Sequence, residues 1–137
     1  MNLEYLNAIS NQLILISSLM SGFSIAILAN LLTYKTDNKM ATYVFRLTSV
    51  AAGCFLVTVF ALTKIIKMTT EGYQHETTVE DFTFTGGLTT IAFVTGILTL
   101  SAVIALSGWI KSKKTGVFTT IVGFLTLLFI LMTMLNV

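Results

Sequence analysis

The amino-acid sequence predicts an all-α polytopic membrane protein, with four transmembrane helices in a single domain over residues 1–137. We expect this bundle to be homo-oligomeric. Hydrophobic residues make up 55% of the chain and charged residues only 10%, and the mean hydropathy is +0.88. A soluble domain carries about 25% charged residues, so this chain has too few to cover a water-facing surface. It contains no proline, and so no proline-induced kink is expected.

Four apolar runs are long enough to cross a bilayer, whose hydrocarbon core requires about 20 helical residues. In chain order they cover roughly residues 8–34, 43–66, 84–110 and 116–137. A membrane strand would need only about 10 residues in strict alternation, which these runs lack. Helices also satisfy every backbone polar group inside lipid. The first run has no basic segment before it and is too long for a cleavable signal peptide.

Basic residues near the ends of the runs predict the side of the membrane on which each connection lies. The first and third connections are basic, and their side chains are Lys35, Lys39, Arg46, Lys111, Lys113 and Lys114. The positive-inside rule places these connections in the cytoplasm and both termini outside. Lys64 and Lys67, at the second connection, favour the opposite orientation. We expect an integral protein of a bacterial-type plasma (inner) membrane, with no soluble domain on either side.

Residues that carry chemistry are absent from the middle of every predicted span. No Asp, Glu, Lys, Arg or His lies there, which argues against a proton-driven carrier, because such carriers use ionisable groups inside the membrane. The sequence shows no metal-ligand cluster and no nucleophile–base pair. Its single cysteine, Cys54, excludes an intrachain disulfide. We therefore expect no enzymatic activity, no cofactor and no metal, and the net charge of +2 argues against nucleic-acid binding.

The middle connection and the residues that follow it are acidic. The carboxylates are Glu71, Glu76, Glu80 and Asp81. As a pore mouth, they would raise the local concentration of cations. The simpler interpretation, which we favour, is a hydrated external loop. His75 lies within helical reach of Glu71, but a lone histidine beside scattered carboxylates is usually only solvated. At the end of the third span, Trp109 is expected to be an interfacial anchor.

Polar residues cluster on one side of the first span. At about 100° per residue, seven polar residues fall within one arc of roughly 140°: Asn7, Ser10, Asn11, Ser17, Ser18, Ser21 and Ser24. In one interpretation they allow close helix packing, with Ser17 and Ser21, or Ser18 and Gly22, as small residues four apart. In the other they form the wet wall of a conduction path. Packing is the better single interpretation, and Ser24, Gly96 and Gly123 are expected to serve it too.

A second strip of the first span is mostly apolar and has an amide towards each end. Its members are Gln12, Leu15, Leu19, Phe23, Ala26, Asn30 and Thr33. An amide in lipid must find hydrogen-bond partners on a neighbouring helix or in a ring of copies around an axis. Leu15, Leu19, Phe23, Ala26 and Asn30 therefore become candidate pore-lining residues, with a hydrophobic stretch closed by an amide ring. A tight seam between subunits explains the same pattern.

Short fragments in the four spans, in order, resemble the Orai calcium channels. They are Ser21-Gly22-Phe23 with Asn30, Phe60-Ala61-Leu62, Gly96 with Trp109-Ile110-Lys111, and Thr119-Thr120-Ile121. The resemblance implies a channel in which the first span lines the pore. Asn30 would then occupy the position of the filter glutamate. Phe23 and Ala26 would line the hydrophobic section beneath it, with Leu19 and Leu15 further along. Asn30 is uncharged and the family's basic inner pore is missing, so calcium selectivity is not expected. A shorter stretch at residues 85–90 is similar to the small fluoride channels.

Two functions are consistent with these observations. The first is an oligomeric membrane channel or pore-forming protein for small ions, with the first helix lining the axis. The second is a non-conducting scaffold or anchor subunit of a larger membrane complex. The expected partners are the lipid bilayer, further copies of the chain and, under the second hypothesis, other membrane subunits.

Overall fold

The computed structural model of the protein describes residues 2–33, 37–70 and 78–136. Within these ranges the chain forms four α-helices and no strand. They are α1 (Leu3–Thr33), α2 (Lys39–Thr69), α3 (Val79–Ser107) and α4 (Lys113–Leu135), and α3 continues into a 3-10 turn at Gly108–Ile110. Each helix is long and apolar enough to cross a membrane. The predicted all-α fold with four membrane-spanning helices is confirmed, and the chain is an integral membrane protein.

Polar side chains fix where the helices begin. The Asn38 side chain accepts a hydrogen bond from the backbone N–H of Met40 at 3.0 Å and starts α2. Thr78 and Asp81 form a capping box at the start of α3, and Ser112 caps α4. Each cap satisfies backbone N–H groups that have no partner within the helix.

The helices are longer than the spans that hydropathy predicts. α1 and α2 each have 31 residues, which corresponds to about 46 Å at 1.5 Å per residue. A hydrocarbon core of about 30 Å therefore leaves several residues of each helix at the headgroups. The hydropathy of the sequence detects only the part of each helix that lies in hydrocarbon, whereas the capping residues determine where the whole helix begins. Tyr34 and Val137, which end the predicted first and fourth spans, lie outside the described residues.

The helices pack in chain order, with α1 on α2, α2 on α3, and α3 on α4. α2 is the most buried helix and α4 the least. Near the end of α2, the core consists of Leu62, Ile65 and Met68, packed against Leu6, Leu13 and Ile14 of α1 and Phe82 of α3. Near mid-span, Phe55 of α2 meets Phe93 of α3 edge to face, with ring centroids 6.2 Å apart.

Hydroxyl groups within the spans bond mainly to their own helix. The Oγ1 atoms of Thr48, Thr58 and Thr89 donate to the carbonyl four residues earlier at 2.7, 2.9 and 2.8 Å. This geometry satisfies a hydroxyl without requiring water or a second helix. The many threonines are consequently compatible with helices in lipid, where an unsatisfied polar group is costly.

Candidate functional site

The face of α1 that packs inside the protein is made of serines. Ser10, Ser17, Ser21 and Ser24 are the buried residues of α1, and we call this face the serine seam. Since α1 packs on α2, the seam forms the contact between these two helices. Small side chains let the two backbones come close. The burial of these four residues is what close packing requires, whereas the wall of a conduction path would be open to water.

Two fully buried hydroxyls of the serine seam have no hydrogen-bond partner among the described residues. The Ser24 Oγ donates to the carbonyl of Met20 at 2.8 Å. The Oγ atoms of Ser17 and Ser21 are buried and bond to no residue that the structure describes. Their contribution to the seam is therefore small size rather than hydrogen bonding.

The candidate pore-lining residues lie on the free face of α1, and we call them the outer strip. Leu15 is 63% exposed, Leu19 52% and Phe23 59%, and Ala26 and Asn30 are also exposed. At 100° per residue, the strip lies about 170° around the helix from the serine seam. α1 thus turns one face to α2 and the opposite face away from its own protein.

The outer strip spans the thickness of the hydrocarbon. The Asn7 side chain donates to Thr69 Oγ1 of the antiparallel α2 at 2.9 Å. Asn30 follows Asn7 by 23 residues and Arg46 precedes Thr69 by 23, so Asn30 and Arg46 lie at about the same depth. By the same count Gln12 is level with Lys64. Because charged side chains avoid hydrocarbon, Arg46 and Lys64 mark its two edges. Arg46 and Lys64 are 18 positions apart in the sequence, which corresponds to about 27 Å of helix and is close to the 30 Å of a bilayer core.

The three glycines that the sequence predicts to serve helix packing differ in how closely other atoms approach them. They are Gly22, Gly96 and Gly123. A Cβ on Gly96 would lie 3.0 Å from the Phe55 ring, and one on Gly123 would lie 3.0 Å from backbone atoms of Ser101 and Ala105. Both glycines therefore allow close contacts within the protein. A Cβ on Gly22 would have no atom within 4 Å, so packing at Gly22 stays a prediction about contacts between copies.

The tightest helix contact lies in the hairpin between α3 and α4. A Cβ on Gly116 would lie 2.6 Å from Trp109 Cγ, so the indole packs directly on the glycine. The indole Nε1 donates to Thr120 Oγ1 at 2.9 Å. The Oγ1 atoms of Thr119 and Thr120 each lie 3.1 Å from the carbonyl oxygen of Ala105, and they also lie 3.1 and 2.8 Å from the carbonyl oxygen of Gly116. Trp109 thus joins the end of α3 to α4. The sequence feature that indicates this contact is a tryptophan followed by Gly116 and Thr120, which are four residues apart.

Two of the four predicted mouth residues lie within the described ranges. Asp81 accepts hydrogen bonds within its capping box, and its Oδ1 lies 4.0 Å from Lys64 Nζ across an exposed contact of α3 with α2. Glu80 is exposed. Glu71, Glu76 and the neighbouring His75 lie outside the described residues. In the part of the chain that is described, no group of His, Cys, Asp and Glu could hold a metal ion.

Comparison with known protein families, with curated proteins and with solved structures finds no match for this chain.

Proposed function

We propose that this protein is the subunit of a homo-oligomeric channel for small ions, in which copies of α1 surround the axis. The observation that carries the proposal is the division of α1 into two opposite faces. The serine seam packs against α2, whereas the residues of the outer strip are exposed in the part of the chain that the structure describes. In a ring with α1 innermost, α2 and α3 would stand behind it and α4 would face lipid.

The composition of the two free end helices supports α1 as the inner one. Along the outer strip, leucine, phenylalanine and alanine fill the hydrocarbon depth, and Gln12 and Asn30 lie near its two edges. Such an arrangement gives a hydrophobic constriction with an amide ring at each mouth. The exposed face of α4 carries bulky side chains such as Phe118, Phe124 and Phe129, which suit contact with acyl chains.

The Orai resemblance supports the same placement, since it also assigns Asn30 to a filter position and Phe23 to the hydrophobic section. We extend the proposal to the absence of enzymatic activity and of calcium selectivity. We further propose a bacterial-type inner membrane with both termini outside, on the grounds that the exposed Lys39, Arg46, Lys111, Lys113 and Lys114 share one membrane side.

The second candidate function is a non-conducting scaffold or anchor subunit. The burial of the serine seam favours it, because hydroxyls that pack within the protein do not form a wet wall. In that case the outer strip is a seam with another copy or with another membrane subunit.

Conductance distinguishes the two functions. Purified full-length protein in planar bilayers is expected to pass small ions, and Asn30→Asp should shift the reversal potential towards cation selectivity, because a carboxylate ring attracts cations. Asn136→Asp, which adds the same charge at the end of α4, is the matched control and should leave selectivity unchanged. Silence at all voltages supports the scaffold function. Currents that Asn30→Asp does not alter would show that the outer strip does not line the pore.

The hydrophobic section allows an independent test. Phe23→Ser should increase conductance or open probability, since a hydroxyl stabilises water in a constriction that otherwise excludes it. Phe124→Ser is the control, because Phe124 is a phenylalanine of similar exposure, 65%, on α4. Equal effects of the two substitutions would argue against α1 as the inner helix.

A further inference from the structure

An apolar cavity of about 180 Å³ lies between the two end helices. All four helices line it: Met20 of α1, Phe55 of α2, Ile97, Leu100, Ser101 and Ile104 of α3, and Thr126 and Ile130 of α4. α1 packs on α2, and α4 packs on α3. In the described ranges, α1 and α4 do not pack extensively on each other. The cavity is the space that remains between α1 and α4.

The cavity lies at the middle of the membrane. Phe55 is nine residues from Arg46 and nine from Lys64, the two charged residues that mark the edges of the hydrocarbon on α2. Water is scarce at this depth, and the bilayer supplies the terminal parts of its acyl chains there.

The lining is suited to hydrocarbon. Six of the eight lining residues are apolar. The hydroxyl of Thr126 donates to the carbonyl of Val122 at 2.8 Å, so it is satisfied within α4. Ser101 is only 6% exposed. An apolar cavity of about 150 Å³ in a soluble protein stays dry and accepts an apolar guest.

We propose that this cavity binds the end of an acyl chain of a membrane lipid. α4, whose exposed face is apolar, lines one side of the cavity, so an acyl chain reaches the cavity past α4 without leaving hydrocarbon. The bound chain fills a void whose lining would otherwise lack contacts. It thereby bridges α1 and α4. The proposal depends on the fold alone and not on ion conduction.

Photolabelling tests the site. The full-length protein is reconstituted with a phosphatidylcholine that carries a diazirine at the end of one acyl chain, and the labelled residues are mapped by mass spectrometry. We expect adducts on cavity residues such as Met20, Ile97 and Thr126, in addition to outward-facing residues of α4 such as Phe129. Ser101→Leu fills the cavity and should abolish the first group of adducts while leaving the second. Ser107→Leu, an exposed serine on the same helix, should change neither.

Two outcomes would overturn the proposal. One is labelling confined to outward-facing residues in the unmodified protein. The other is labelling of the cavity only after the oligomer is diluted apart, which would identify a second copy of the chain as the occupant. Because Ser101→Leu risks misfolding, Thr126→Phe fills the cavity from α4 as a second variant. Circular dichroism and gel filtration establish that each variant is folded before its labelling is compared.

Discussion

Replacing Gly108 by alanine is expected to open the hairpin between α3 and α4. Gly108 has right-handed helical torsions, φ −67° and ψ −26°, which alanine adopts freely, so only space determines the effect. A Cβ there would lie 2.5 Å from the Thr115 carbonyl oxygen and 2.7 Å from Thr119 Cγ2, both on α4. The Thr115 atom belongs to the backbone, and therefore the clash is relieved only when α4 moves away.

The size of the effect follows from three contributions. Overpacking costs about 1–3 kcal/mol. Separation of the helices also weakens the bond from Trp109 to Thr120, and such interhelical bonds contribute about 0.6 kcal/mol on average in a membrane. The change from glycine to alanine returns up to about 1 kcal/mol of helix propensity. We expect a net loss of about 1–2 kcal/mol in the free energy of unfolding.

Reversible unfolding in mixed detergent micelles, followed by Trp109 fluorescence, measures this loss. Gly22→Ala is the control, because a Cβ on Gly22 would meet nothing within 4 Å, and it should leave the stability of the protomer unchanged or slightly raised. If Gly108→Ala and Gly22→Ala have the same stability, the close contact between α3 and α4 that we describe is absent.

Three further substitutions probe single polar groups by reversible unfolding in mixed micelles, followed by circular dichroism because one of them removes the single tryptophan of the chain. Asn7→Ala removes the 2.9 Å bond to Thr69 that joins α1 to α2 and should cost about 0.6–1.7 kcal/mol; no loss would remove the basis for the α1–α2 register. Trp109→Phe keeps a ring for packing but loses the bond to Thr120, and should cost a similar amount; full stability would show that this bond contributes nothing. Ser17→Ala removes a buried hydroxyl that has no partner among the described residues, and should be neutral or stabilising; a loss as large as that of Asn7→Ala would indicate a bond that we have missed.

The fold could be predicted from the sequence because lipid imposes simple conditions on it. Long apolar runs without strict alternation allow only helices, and the four helices appear where these runs lie. The serine arc of α1 could also be predicted as a packing face, since its period matches a helix. The sequence does not predict which residues of this arc are buried, because Ser10 and Ser18 look equivalent in sequence although only Ser10 is buried.

Contacts between helices were harder to predict than the helices themselves. The sequence treats Gly22 and Gly116 alike, yet only Gly116 has a neighbour, the Trp109 indole. Which glycine packs depends on the rotation and partner of each helix, and hydropathy carries no information on either when lipid and core are equally apolar. For the same reason the sequence did not reveal that α1 and α4 stay apart and leave a cavity near Phe55.

Disulfide cross-linking between copies of the chain most directly tests whether the outer strip of α1 faces the axis of an oligomer. Phe23→Cys and Phe124→Cys are each introduced into a Cys54→Ser background, and the protein is oxidised in its membrane. Phe23→Cys should form covalent dimers efficiently, and Phe124→Cys on α4 should remain largely monomeric. Efficient dimers through Phe124→Cys alone, or none through Phe23→Cys, would contradict a central α1.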